Sequence, residues 1–548
     1  MLSYLRSLCL LSLCLASLTG ASTSSTTAPI IDVGYAQYQG YYNASNGITE
    51  FIGIRYAAPP AGDLRFSAPQ PPGNISGVQQ ANTPPNMCYQ SDNGASSSAP
   101  VSPYGFAKRN GDIGSVGTPP ESEDCLFLNV FVPGYIPSNA NATGGLPVLV
   151  WVHGGGYAEG WMTEAKYNAT DLVIDSHQSV IIVAIQYRMG LFGFLAGQEV
   201  KDGGVLNTGL LDQQFAFKWV QDHISKFGGD PSHVTIWGQS AGAGSMLQHI
   251  IANNGSTQPP LFQAVISSST FLPSQYWYND RVPQNYYNQT VAQANCTSAR
   301  DTLACLRAVD ATTLNTINND VAKLALTGTY GFVPVVDGTF IADRPTALMQ
   351  SGRVNGQLYL AFGNSHEGTD FVSSVRFTNL TVAEYAATLF PNLEPEQAQQ
   401  AESLYSNVGT PLEQMQTIMG DSIFLCPTYY MLAAFPGKSW RGFWAVPPGL
   451  HADDLLYYFN NTTPPYDNPA FVASYVQSYM SFARFWDVNE KFDSINITPN
   501  WEPYSNGSAE MLFNHAEEGL PVIQPITTDE GLVERCSFWH SVAESIGQ

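Results

Sequence analysis

Apolar residues in this chain fall mainly in short unbroken runs, separated by longer mixed or polar stretches. Runs at 51–56, 126–132, 147–152, 179–187, 234–237, 263–267, 357–362 and 441–446, with a shorter one near 511–513, read as strands. They are too short for helices, and their β-branched and aromatic side chains suit a pleated surface. The run at 147–152 is apolar throughout, as a strand covered on both faces must be. Helical stretches lie between the runs. One spans 210–227, where Leu211, Phe215, Trp219 and Ile224 recur near helical spacing, and another begins at 243. Residues 380–435 read as helical, as do 468–486 and 530–545, and 270–350 mixes helix with loop. Strands alternating with helices predict an α/β protein with a mostly parallel central sheet flanked by helices. Residues 67–122 lack periodic segments. Cys88 and Cys125 flank most of that stretch, which predicts an Ω-loop closed by a disulfide.

The 548 residues contain no repeat, no charge block and no Pro- or Gly/Ser-rich linker, so a single large domain with long insertions is expected over 22–548. Residues 1–21 read as a secretory signal peptide: Arg6, an apolar stretch over 8–18, then the small-residue site Thr19-Gly20-Ala21. No other stretch is apolar enough for a stable membrane anchor. Secretion agrees with N-x-S/T sequons at Asn43, Asn74, Asn141, Asn168, Asn254, Asn288, Asn295, Asn379, Asn460, Asn461, Asn496 and Asn506. Past the leader, Cys88, Cys125, Cys296, Cys305, Cys426 and Cys536 form an even set, which in an oxidising compartment reads as three disulfides; spacing alone suggests Cys296–Cys305 as a local loop. A net charge of −23 excludes nucleic acid as the natural partner.

The candidate chemistry centres on Gly238-Gln239-Ser240-Ala241-Gly242. The pentapeptide alone is a weak signal in a chain with 48 glycines. Its flanks, a strand before and a helix start after, are those of a nucleophile elbow, where glycines let strand and helix pack closely. A serine nucleophile needs a base, an acid behind the base, and donors for the oxyanion. His153-Gly154-Gly155-Gly156 follows a buried strand and reads as an oxyanion loop; Ala241, just after the serine, adds another N–H. In the chain order serine, acid, histidine, the acid is Glu367, at a strand end, with Asp370 as rival, and the base is His451. Asp453 and Asp454 follow the histidine and read as holding its loop. The base works only as neutral imidazole, so activity should fall in acid. The chain lacks H-E-x-x-H and C-x-x-C ligand spacing, so no metal or cofactor is expected.

Residues 227–242, FGGDPSHVTIWGQSAG, and 123–133, EDCLFLNVFVP, resemble the two signatures of the type B carboxylesterase and lipase family, which includes cholinesterases and secreted fungal lipases. The resemblance covers nearly the whole mature chain. It implies an α/β-hydrolase fold, a Ser240–His451–Glu367 triad acting through an acyl-enzyme, and Gly155, Gly156 and Ala241 as oxyanion donors. It also implies disulfides Cys88–Cys125, Cys296–Cys305 and Cys426–Cys536, and structural ion pairs Arg65–Glu123 and Arg188–Asp212. The expected substrate is a small-molecule or lipid carboxylic ester. There are two departures. Gln239 stands where the family usually carries Glu, and the Cys88–Cys125 loop has no Trp, which argues against a cholinesterase. That loop is the lid in family lipases. Here it carries Tyr104 and Phe106 but also Lys108, Arg109 and Asp112, which favours an esterase over a lipase. The alternatives are a true lipase on long-chain triglycerides and a non-catalytic adhesion-type relative; such adhesion relatives lose the serine or the histidine.

Overall fold

The computed structural model describes residues 28–98, 118–135, 145–164, 166–459 and 463–548. The signal-peptide reading, the lid residues Tyr104, Phe106, Lys108, Arg109 and Asp112, and the sequons at Asn141, Asn460 and Asn461 lie outside the described residues.

The apolar runs form one large sheet. In chain order its strands are β1 (Tyr41–Asn43), β2 (Ile48–Arg55), β3 (Phe127–Pro133), β4 (Leu146–Val152), β5 (Ile181–Ile185), β6 (Gly229–Gln239), β7 (Ala264–Ser268), β8 (Leu358–Asn364), β9 (Ser439–Trp444), β10 (Ala509–His515) and β11 (Pro521–Thr527). They lie in the order β11-β10-β9-β8-β7-β6-β4-β5-β3-β2-β1. From β10 across to β5 every pairing is parallel. The margins, β11 with β10 and β5-β3-β2-β1, are antiparallel. The outer strands β1 and β11 escaped the sequence reading, as did a small three-stranded sheet built on Ile30–Asp32.

Helices cover both faces, and β4 shows why its run is apolar throughout. Val148, Val150 and Val152 enter one core, while Leu149 and Trp151 enter the other. On the second face Trp237 of β6 stacks on Tyr479 at 4.6 Å and meets Trp151 edge-on at 4.9 Å. Helix Thr208–His223 differs from the expected stripe. Trp219 and Ile224 are buried as expected, but Leu211 and Phe215 are only half-buried, and Asp212, Gln213, Ala216, Phe217 and Val220 also face inward. The buried polar pair has partners: Asp212 takes both forks of Arg188 at 2.7 Å, and Gln213 bonds Ser245 and His249 of the neighbouring helix at 3.0 Å. Arg65 likewise grips Glu123 at 2.6 and 2.8 Å. The three disulfides are Cys88–Cys125, Cys296–Cys305 and Cys426–Cys536, with Cα separations of 4.9, 5.7 and 5.1 Å. Among the described residues no helix is long and apolar enough to cross a membrane.

Two buried histidines give the fold an acid limit. Burial lowers His249 to about 3 and His153 to about 4. As pH falls below the ordinary histidine value of about 6.5, the unfolded chain takes up a proton at each that the folded chain refuses until those lower values. Stability present at neutral pH is therefore lost between about 6.5 and 4, at up to about 1.4 kcal/mol per pH unit per histidine. Urea midpoints at pH 7, 6, 5 and 4.5 should fall along this window, and His249→Gln should flatten the decline. An unchanged slope in that variant contradicts the assignment.

Candidate active site

The parallel strands end along one edge, where open α/β sheets place their crevice. Val152 of β4 pairs with Gly238 of β6, and Ser268 of β7 with Gln239. The next residue, Ser240, has φ +56° and ψ −122°, a strained conformation held by strand before and helix Ala241–Gly255 after. The flanking glycines are required by contact. A Cβ on Gly238 would stand 2.3 Å from the Gly242 carbonyl, and one on Gly242 would stand 2.1 Å from the Val152 oxygen.

The chain's two later loops meet over that serine. The acid loop after β8 and the loop after β9 are paired by a bridge between His366 and Leu450, with the His366 N–H donating to the Gly449 oxygen at 2.8 Å. This places the Ser240 hydroxyl 2.9 Å from His451 Nε2 and His451 Nδ1 2.5 Å from Glu367 Oε2. With Nδ1–H donating to the carboxylate, Nε2 is free to accept the serine proton. Glu367 is only 1% exposed. Its other oxygen accepts from Ser269 Oγ at 2.7 Å and from the Asn364 N–H at 2.6 Å. Asp370 is exposed on the turn Thr369–Phe371, so the imidazole's carboxylate partner is Glu367. Phe424 and Phe371 pack on the imidazole with ring centres 4.6 and 5.1 Å away.

Ser269 and Asn364 were absent from the sequence reading, because polar residues at strand ends carry no motif. Asp453 does hold its own loop, accepting from the Leu450 N–H at 2.7 Å. Asp454 does something else. It is buried, accepts from Asn364 Nδ2 at 3.2 Å and from the Tyr475 hydroxyl at 3.0 Å, and so ties the histidine loop to the acid's strand. Burial pushes its carboxyl up to about 6.

The glycine loop lies against the same serine. A Cβ on Gly154 would come within 3.0 Å of Ser240 Cβ. Gly155 and Gly156 hold φ +104° and +64°, and side chains there would strike the Glu159 carbonyl and the Tyr330 ring. Among the described residues, neither N–H donates to a backbone acceptor. Ala241 is the first residue of its helix, so its N–H has no intrahelical partner and sits at the positive end of the helix dipole. The loop is braced behind: the His153 ring stacks on Tyr187 at 4.7 Å, and Gln90 Oε1 accepts from the Gly160 N–H at 2.7 Å. Gln239 is buried, with Nε2 3.5 Å from His451 Nε2, so the position where this chain carries Gln lies directly beside the imidazole.

An apolar cavity opens beside the imidazole, lined by Phe371 and Phe424, by Tyr330, which lies against Gly156, and by Phe271, Tyr286 and Phe332. Among the described residues no three His, Cys, Asp or Glu side chains cluster as metal ligands would.

Comparison with known proteins gives the chain's family. Residues 27–539 match the model of the carboxylesterase family. The chain is 31% identical to Lipase 2 of Geotrichum candidum, over 89% of this chain and 91% of that protein. It is 28% identical to Carboxylesterase patB of Aspergillus clavatus, over 96% and 98% of the two chains. The crystal structure of Aspergillus niger EstA superposes with a TM-score of 0.80 at 28% identity, covering 95% of this chain and 99% of that one. The fold is thus the α/β-hydrolase fold, and the chain, a carboxylic ester hydrolase, belongs to the carboxylesterase family.

Proposed function

We propose that this is a secreted serine esterase that works through an acyl-enzyme on Ser240. The observation that carries the reading is the continuous hydrogen-bonded line from Ser240 Oγ through His451 to Glu367. Ser240 Oγ attacks the ester carbonyl carbon while its proton passes to His451 Nε2. Glu367 fixes the imidazole tautomer and stabilises the imidazolium. The carbonyl oxygen, now negative, takes hydrogen bonds from the N–H groups of Gly155, Gly156 and Ala241. As the intermediate collapses, the C–O bond to the alcohol breaks and Nε2 gives its proton to the departing oxygen. Water then loses a proton to Nε2 and attacks the acyl-serine, releasing the acid and restoring the hydroxyl. Export agrees with the leader-like N-terminus, the sequons and the three disulfides.

The apolar cavity bears on the substrate, and it supports a second reading, a lipase acting on long-chain triglycerides. A series of p-nitrophenyl esters from C2 to C16 tests both. Each methylene entering the cavity should raise kcat/KM by about fourfold, from about 0.8 kcal/mol per buried CH₂, until the cavity is filled. A rate that jumps when a triglyceride exceeds its solubility favours the lipase. Failure to cleave any member of the series contradicts both readings.

A further inference from the structure

Residues 504–508, Tyr-Ser-Asn-Gly-Ser, form a turn that leads into β10. The Asn506 N–H donates to the Pro503 oxygen at 2.9 Å, and Gly507 and Ser508 take φ of +71° and +56°. Both ends are pinned. The Tyr504 N–H donates to the Ser439 oxygen at 2.8 Å, and the Thr528 N–H to the Ser508 oxygen at 3.1 Å. Between the pins the Asn506 side chain is exposed, and its amide donates to Glu502 Oε2 at 3.1 Å. That bond uses one of two amide hydrogens, and an amide joined to a sugar keeps one.

Tyr504, two residues before Asn506, lines an open groove with Tyr429, Tyr430, His540 and the exposed Val533. The hydroxyls of Tyr429 and Tyr430 are turned to other work, donating to Glu510 Oε1 at 2.9 Å and to the Cys536 oxygen at 2.8 Å. The tyrosines therefore offer ring surface, the complement of the C–H-bearing face of a neutral sugar. Tyr504 and the sugar's attachment point share one turn, two residues apart.

We propose that Asn506 is N-glycosylated and that its first N-acetylglucosamine packs on the Tyr504 ring in this groove. The sugar comes from a lipid-diphosphate oligosaccharide donor: C1 bonds to Asn506 Nδ2, Nδ2 loses one proton, and the lipid diphosphate leaves. Asn496 is the internal contrast. It is buried, donates from Nδ2 to Gln477 Oε1 at 3.1 Å, and accepts from the Thr498 N–H at 2.9 Å, so a sugar there has no place in the fold.

The test uses the full chain secreted from a eukaryotic host. Peptide N-glycosidase in ¹⁸O water marks each occupied asparagine as labelled aspartate, read by peptide mass spectrometry. Asn506 should be marked and Asn496 unmarked. On the native protein, release of the sugar at Asn506 should run roughly three- to tenfold slower than at Asn379, which stands exposed on a loop. Tyr504→Ala should abolish that difference, and Tyr504→Phe, which keeps the ring, should preserve it. An unmarked Asn506 overturns the site. Equal release rates in the wild-type protein, or a slow rate that survives Tyr504→Ala, overturn the packing. The proposal rests on passage through the secretory pathway. Sugar at Asn379 with none at Asn506 keeps that passage and overturns the site, whereas ester hydrolysis is independent of both.

Discussion

Ser240→Ala lowers kcat on a soluble p-nitrophenyl ester by roughly 10⁴- to 10⁶-fold, with KM little changed. The substitution removes one oxygen from a side chain that is only 8% exposed and leaves the elbow glycines and their contacts in place. Circular dichroism and the thermal midpoint should therefore match wild type. The residual rate comes from binding and from the N–H groups of the glycine loop, which still face the carbonyl oxygen. A variant within tenfold of wild type means that another nucleophile carries the reaction.

Glu367→Gln is nearly isosteric, yet it should cost roughly 10³- to 10⁴-fold in kcat. The surroundings dictate which way the new amide turns. The Oε1 position faces two donors, the Asn364 N–H at 2.6 Å and the Ser269 hydroxyl at 2.7 Å, so the glutamine oxygen must occupy it. Its NH₂ then takes the Oε2 position, 2.5 Å from His451 Nδ1 in the wild type. An N–H donor facing Nδ1 drives the imidazole proton to Nε2, the atom that must accept from Ser240. The base is thus in the wrong tautomer without having moved. Single-turnover acylation should slow as much as kcat, since acylation is the step that needs the free Nε2. A variant that acylates within tenfold of wild type would show that orientation of the imidazole does not depend on this carboxylate.

The strands that position the site were legible because their central residues are covered on both faces, as those of β4 are, and so read as short apolar runs. The elbow and the glycine loop were legible because backbone contact at Gly238, Gly242 and Gly155 and the Tyr330 ring at Gly156 forbid any Cβ, and a run of required glycines is visible in sequence. Strand β11 was not. It is an edge strand, largely exposed, and carries Pro521 and Pro525, which only an edge tolerates. Helix Thr208–His223 was legible only in part. Its inward face takes in Trp219 and Ile224 as the apolar spacing requires, but it also includes Asp212 and Gln213, whose partners come from other elements, and leaves Leu211 and Phe215 half-buried at its margin. The same limit hid Ser269, Asn364 and the inward turn of Asp454. Each is polar, buried and paired across more than twenty residues of chain, and local pattern carries no record of such pairing.

Covalent labelling tests whether Ser240 is the nucleophile that His451 and Glu367 activate. Intact protein is treated with diethyl p-nitrophenyl phosphate, and mass spectrometry locates the adduct. One diethylphosphoryl group per chain, on the peptide carrying Ser240, with p-nitrophenol released in equal amount and hydrolysis lost in step, is the predicted result. Labelling at another residue, or full hydrolytic activity after Ser240 is modified, would contradict it.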